Sequence, residues 1–190
     1  VLTVLMQSSS ASTAITISFV RAGLMTLNQA AGIVFGANIG TTFTTLLISL
    51  NLDQYTLYIV AAGALLLSFS KKKKVKYVGS IIFGFGMLFF GLSLMGDALA
   101  EIKELPQFEA VAISMSNNPL LSLGSGIILT ALVQSSAATI AIIQKLYQAG
   151  AIDIYAAIPF MFGANIGTTM TGILAALGGS LGARRTAGLH

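Results

Sequence analysis

The sequence predicts an all-α integral membrane protein with an inverted internal repeat and re-entrant or broken helices. Three observations carry that expectation. Of 190 residues, 55% are hydrophobic and 8% charged, with a mean hydropathy of +0.88, whereas a soluble domain carries roughly 25% charged residues. Apolar runs of about 20 residues, long enough to cross a bilayer as helices, recur along the chain. A polar motif also occurs twice: Gln7-Ser8-Ser9-Ser10 followed by Gly36-Ala37-Asn38-Ile39-Gly40-Thr41-Thr42, and Gln134-Ser135-Ser136 followed by Gly163-Ala164-Asn165-Ile166-Gly167-Thr168-Thr169. A single offset of 127 residues superposes both halves of the motif, and residues 3–44 match residues 130–171 at 20 of 42 positions.

In chain order, residues 1–20 are apolar around a polar insert at 7–13, and residues 30–50 form a crossing that contains the second half of the motif. Residues 1–50 make up the first repeat. Residues 51–53 are a short polar turn, and 51–96 hold two connecting crossings, 55–69 and 77–95, on either side of a basic loop with Lys71, Lys72, Lys73, Lys74 and Lys76. Gly79 with Gly86 and Gly84 with Gly91 are each seven apart, so each pair falls on one helical face where a neighbouring helix approaches closely. Residues 97–118 break the apolar pattern with Asp97, Glu101, Lys103, Glu104, Pro106 and Glu109, and read as an extracytoplasmic interfacial segment or loop. The second repeat spans 119–183, with its own crossing at 154–177. Arg184 and Arg185 read as the start of a cytoplasmic loop over 184–190. Both ends look cut, because Val1 opens inside the motif region and no crossing follows Arg185.

Charge placement orients this scheme. Basic residues favour the cytoplasmic side, which puts the lysine loop, Arg21, Arg184 and Arg185 inside and all six acidic residues outside with Lys103 and Lys145. Three crossings, at 30–50, 55–69 and 77–95, then separate the two motif hairpins. An odd number inverts the second copy, which is the construction of many secondary transporters. The basic residues are not interleaved with aromatics, so no nucleic-acid partner is expected. Cysteine is absent, which excludes disulfides and thiolate metal sites.

The motifs hold hydroxyls and amides in apolar surroundings without one formal charge. Serine, threonine, asparagine and glycine favour caps and turns over helix interiors, so residues 7–13, 36–42, 134–139 and 163–169 are expected to be turns between half-helices. A half-helix that starts inside the membrane offers unpaired N–H groups to an anion. One that ends there offers carbonyls which, with Ser, Thr and Gln oxygens, suit a small hard cation such as Na⁺. A neutral site of this kind best carries an anion together with cations. Lys145 and Gln144, where the first repeat has Ser18 and Ile17, are expected to face an aqueous vestibule. Gly178-Gly179-Ser180-Leu181-Gly182 matches G-x-S-x-G but lacks the strand and the His-acid pair that a nucleophile elbow needs. With no P-loop, metal-ligand cluster or carboxylate pair, neither an enzyme nor a transition-metal or cofactor site is expected.

At these motif residues the chain resembles the type II sodium/phosphate cotransporter family, which includes bacterial members. The resemblance covers essentially the whole chain and rests on two paired motifs in order. It implies a multi-pass protein of the cell (inner or plasma) membrane that carries inorganic phosphate with Na⁺ as coupling ion by alternating access. Ser8, Ser9, Ser10, Ser135, Ser136, Asn38 and Asn165 would bind phosphate. Gln7, Gln134, Ser12, Thr13, Thr139, Thr41, Thr42, Thr168 and Thr169 would supply oxygens to Na⁺. The second copy departs from the pattern at Ala137, in place of the third serine, and at Ile140, opposite Thr13. Cation number, electrogenicity, transport direction and assembly as a homo-oligomer are left open. The alternatives are a phosphate exporter or other oxyanion carrier of the same fold, and a structural or regulatory membrane subunit whose repeats only pack.

Overall fold

The computed structural model describes residues 2–50 and 52–190; Val1, at the start of the motif region, and Asn51, at the start of the expected polar turn, lie outside the described residues. The chain is all-helical. Its elements are α1 (Leu2–Met6), α2 (Ser9–Arg21), α3 (Leu27–Ile48), a 3-10 turn at Asp53–Tyr55, α4 (Thr56–Phe69), α5 (Lys73–Ile102), α6 (Pro106–Asn117), α7 (Pro119–Val133), α8 (Ser136–Gln148), α9 (Ile154–Ala176) and α10 (Leu181–Gly188). Helices α3, α5 and α9 are long and apolar enough to cross a membrane, while α4 and α7 are apolar but shorter.

Local chemistry sets most of the helix starts. Ser8, Thr26, Asn118, Ser135, Asp153 and Ser180 each accept a backbone N–H from the first turn of the helix they precede, which satisfies donors a helix otherwise leaves free. Pro119 stands at the first position of α7, where its missing N–H costs nothing.

Two expectations about the motif turns are corrected, and two further segments prove to be helical. Residues 36–42 and 163–169 are not turns; they lie inside the continuous helices α3 and α9. Their hydroxyls donate to carbonyls of their own helix: Thr41 to Ala37 at 3.1 Å, Thr42 to Ile39 at 2.6 Å, Thr168 to Ala164 at 3.0 Å and Thr169 to Ile166 at 2.7 Å. That back-bonding lets threonine sit in a helix without water. The breaks expected over 7–13 and 134–139 shrink to Gln7-Ser8 and Gln134-Ser135, with Ser9 and Ser136 already helical. Residues 97–118 are the last turns of α5 followed by α6, and residues 184–190 belong mostly to α10, which packs against α2, α3 and α9.

Small residues govern the packing, as expected where lipid removes the hydrophobic drive between helices. Helices α4 and α5 form a hairpin in which Gly79 faces Leu66, with a Cβ there only 2.9 Å from the Leu66 side chain, and Gly86 faces Val60 at 2.8 Å. Gly84 and Gly91 have open space beside them, so only one of the two expected pairs makes a contact. Helices α7 and α9 touch backbone to backbone. A Cβ on Gly126 would meet the Phe160 carbonyl, one on Gly163 the Leu123 carbonyl, and one on Gly167 the Ile127 carbonyl at 2.7 Å.

Candidate functional site

Two chain reversals, one per repeat, build the site. Gln7 and Gln134 are the only non-glycine residues with positive φ among the described residues, at 53° and 59°. A glutamine in the left-handed region costs roughly 1–2 kcal/mol, and in both copies the side chain offsets that cost in the same way. The Gln7 amide donates to the Val4 carbonyl at 2.6 Å and its oxygen accepts from Thr44 Oγ1 at 2.6 Å. The Gln134 amide donates to the Ala131 carbonyl, and its oxygen accepts from Thr171 Oγ1 at 2.8 Å. Each glutamine thereby ties its turn to the long helix that carries the Gly-Ala-Asn-Ile-Gly-Thr-Thr element. After each glutamine a serine caps the next helix: Ser8 Oγ accepts from Ala11 N at 3.1 Å, and Ser135 Oγ from Ala138 N at 3.2 Å. The first two N–H groups of each helix, on Ser9 and Ser10 and on Ser136 and Ala137, have no intrahelical acceptor.

Both reversals line one small cavity of about 40 Å³, bounded by Gln7, Ser8, Ser9, Ser10, Thr41, Gln134, Ser135, Ser136 and Ala137. A single water needs about 10–15 Å³ on this measure, so the space holds an ion or a few waters. Ser9, Thr41 and Ser136 also line a larger cavity of about 670 Å³, together with Asn38, Thr42, Thr45, Asn165, Thr168 and Thr169. Among the described residues, no side chain of either lining carries a carboxylate, ammonium or guanidinium group. The one titratable group is His190, whose burial pushes its imidazole below the usual histidine value and so favours the neutral form.

Of the sequence-predicted site residues, Gln7, Ser8, Ser9, Ser10, Gln134, Ser135, Ser136 and Thr41 meet at the small cavity, and Asn38, Thr42, Asn165, Thr168 and Thr169 at the larger one. Ser12, Thr13 and Thr139 line neither. Ser12 donates to the Ser8 carbonyl and Thr139 to the Ser135 carbonyl, while Thr13 Oγ1 is buried without a partner among the described residues. Lys145 is not in a vestibule. Its ammonium pairs with Asp53 at 3.2 Å, its side chain is 14% exposed, and its stem lies against Gly96. Sequence reasoning missed Thr44 and Thr171 as the clamps on the glutamines, although both are identical across the repeat and 37 residues beyond Gln7 and Gln134. It also missed Met161 and His190 in the larger cavity, which no pattern in the sequence marks.

The sequence profile of the family described as Na+/Pi-cotransporter matches residues 1–97 and 101–184. The chain is 31% identical over its whole length to the uncharacterized protein YqeW of Bacillus subtilis (strain 168), of which it covers 62%. It is 27% identical over 185 residues to YjbB of Escherichia coli (strain K12), a protein provisionally named for inorganic phosphate export, and covers 34% of it. Over 105 residues, 53% of this chain, it is 36% identical to human sodium-dependent phosphate transport protein 2B, of which the match covers 15%. No solved structure matches the chain.

Proposed function

The chain belongs to the Na⁺/Pi-cotransporter family, and from that premise we propose that the whole protein carries inorganic phosphate across the cell membrane, coupled to Na⁺, by alternating access. One observation carries the reading: two Gln-Ser reversals 127 residues apart in sequence line the same uncharged cavity. Phosphate would sit beside Ser9, Thr41 and Ser136, which line both cavities, facing the N–H groups of Ser9, Ser10, Ser136 and Ala137 that have no intrahelical acceptor, since helix N-termini favour an anion. Na⁺ would take the Gln7, Gln134 and Thr41 oxygens beside it. The back-bonded threonines suit this role. A hydroxyl that donates to its own helix keeps its lone pairs free to accept from an anion's proton or to meet a cation. Bound charges of opposite sign then neutralise one another in a site with none of its own.

Alternating access would work by the two repeats, inverted relative to one another in a multi-pass fold, exposing the joint cavity to each side in turn. The test is uptake of labelled phosphate by proteoliposomes holding the full-length protein, with and without an inward Na⁺ gradient. Flux that rises with the gradient and falls in S9A/S136A is expected; flux indifferent to Na⁺ would sink the coupling, and no flux at all would sink transport. Export is the second reading, favoured by the name of the Escherichia coli relative. Efflux exceeding uptake from the same vesicles at equal Na⁺ would select it.

A further inference from the structure

We propose that the lysine cluster at the α4–α5 turn is a binding site for the phosphate groups of anionic phospholipids. Lys71, Lys72, Lys73, Lys74 and Lys76 lie within six residues, and all five are exposed. None of them forms an ion pair among the described residues, where the only pairs are Lys103–Glu104 and Lys145–Asp53. The charge is also locally uncompensated. No acidic residue stands in the first turn of α5, so Lys73 and Lys74 add positive charge to the positive end of a 30-residue helix, an arrangement that disfavours cations. An external anion relieves that repulsion.

The surroundings say which anion. The cluster joins two apolar helices, and exposed aromatic rings flank it on both sides: Phe69, the last residue of α4, and Tyr77, in the second turn of α5. Tyrosine, with its amphipathic ring, collects at the headgroup level of a bilayer, which puts Tyr77 there. Basic clusters immediately beyond a membrane helix attract anionic headgroups by about fivefold per lysine. A lipid phosphate is therefore held at this depth, and its acyl chains run along the exposed faces of α4 and α5. The proposal rests on the reading that these two helices lie in the bilayer. It is independent of what the central cavity transports.

The experiment uses the full-length protein, its K71Q/K72Q/K74Q variant and an R184Q/R185Q control. Each is purified in the presence of equimolar phosphatidylglycerol and phosphatidylcholine, and retained lipids are counted by native mass spectrometry. Co-flotation with liposomes is measured beside it. The wild type and the Arg control are expected to prefer phosphatidylglycerol, less so as salt rises to about 0.5 M, and the triple Lys variant to lose about tenfold or more of that preference. Wild-type preference in the triple Lys variant would overturn the assignment. So would displacement by inorganic phosphate beyond that caused by sodium chloride of equal ionic strength, since the cluster would then serve a free anion. A protein that enters liposomes yet shows no preference refutes the lipid site alone, whereas one that fails to co-float refutes the bilayer placement beneath it.

Discussion

Removing the hydroxyl of Thr171 tests whether the glutamine clamps position the ligand or merely close a turn. In T171V the side chain keeps its shape, but Gln134 Oε1 loses the 2.8 Å bond that holds it to α9. The amide end of Gln134 keeps its bond to the Ala131 carbonyl, so one of two anchors remains and the turn still forms. One such bond contributes about 1 kcal/mol, or roughly fivefold in an equilibrium constant. Phosphate affinity of the full-length protein, read by calorimetric titration in saturating Na⁺, is expected to weaken by about that factor. T44V removes the equivalent 2.6 Å bond to Gln7 and is expected to behave alike. The two bonds share no partner, but both glutamines line one cavity, so the double variant should weaken binding more than either single variant, and its departure from about twenty-five-fold measures their coupling. S114A serves as a control, because that hydroxyl donates only to the Ala110 carbonyl of the same helix, on an exposed face of α6. Unchanged affinity in T44V and T171V, with or without a fall in melting temperature, would refute the idea that these glutamines set the ligand geometry.

Three further outcomes are expected. Gly163→Ala drives a methyl group into the Leu123 backbone, while Gly36, at the same place in the first repeat, has open space beside it; thermal stability in detergent should fall by about 2 kcal/mol or more in G163A and stay near wild type in G36A. D53N strands the Lys145 ammonium, which is mostly covered, whereas K145M leaves only the more exposed Asp53 carboxylate; allowing for that exposure, D53N should cost on the order of 1 kcal/mol and K145M less, read from melting curves at low and high salt. Asp153 is held below the usual carboxylate range by the Ala156 N–H and then by the Ser116 hydroxyl, so its contribution is present above its unfolded value of 3.8 and is lost as pH falls through the lower folded value. Hydrogen-exchange protection in the first turn of α9, taken relative to the intrinsic rate at each pH, should therefore fall below about pH 4, and D153N should flatten that dependence.

The apolar pattern made most of the helices legible: α3, α4, α7 and α9 fall close to where hydropathy puts them, although α4 and α7 are shorter than a full crossing needs. Hydroxyl and glycine clusters misled where the reasoning came from water. In water Ser and Thr compete with the helix for its backbone groups; within α3 and α9 they bond back to the helix instead, so the expected breaks at 36–42 and 163–169 do not form. The true reversals depend on one residue each, Gln7 and Gln134, and a left-handed glutamine has no composition signature. Charge reading did better. It put Asp53 and Lys145 on one side of the chain, and they meet at 3.2 Å across 92 residues of sequence. That they pair, and that Lys145 lines neither cavity, are tertiary facts no local pattern encodes. Ser180 was visible only as part of a weak G-x-S-x-G match, and its place is the cap of α10, accepting from Ala183 N at 3.4 Å.

The difference between the repeats then takes on a physical meaning. At the repeat offset, Ser10, Thr13 and Thr16 of α2 correspond to Ala137, Ile140 and Ile143 of α8. Helix α8 is buried by apolar neighbours: Ile143 and Leu146 join a core with Phe160 of α9 and Met115 of α6, and Ala141 packs with Phe89 and Leu92 of α5. Helix α2 is covered differently, by α3, α9 and α10: Ile17 packs on Ala176, Ala183 and Ala187, and Thr13 and Thr16 are buried. Ile140 reaches the larger cavity, but its counterpart Thr13 does not, and the Thr13 hydroxyl is left without a partner. A buried unsatisfied hydroxyl costs about 1–3 kcal/mol, and a packing role alone would be served better by the isoleucine the other repeat already uses. The two halves are thus matched at their turns, where Gln7 and Gln134 share one geometry, and unequal one helical turn deeper. If T13I, which copies the second repeat into the first, gains stability and lowers the Na⁺ dependence of phosphate binding, that asymmetry is functional; gained stability with unchanged Na⁺ dependence would make it a feature of packing alone.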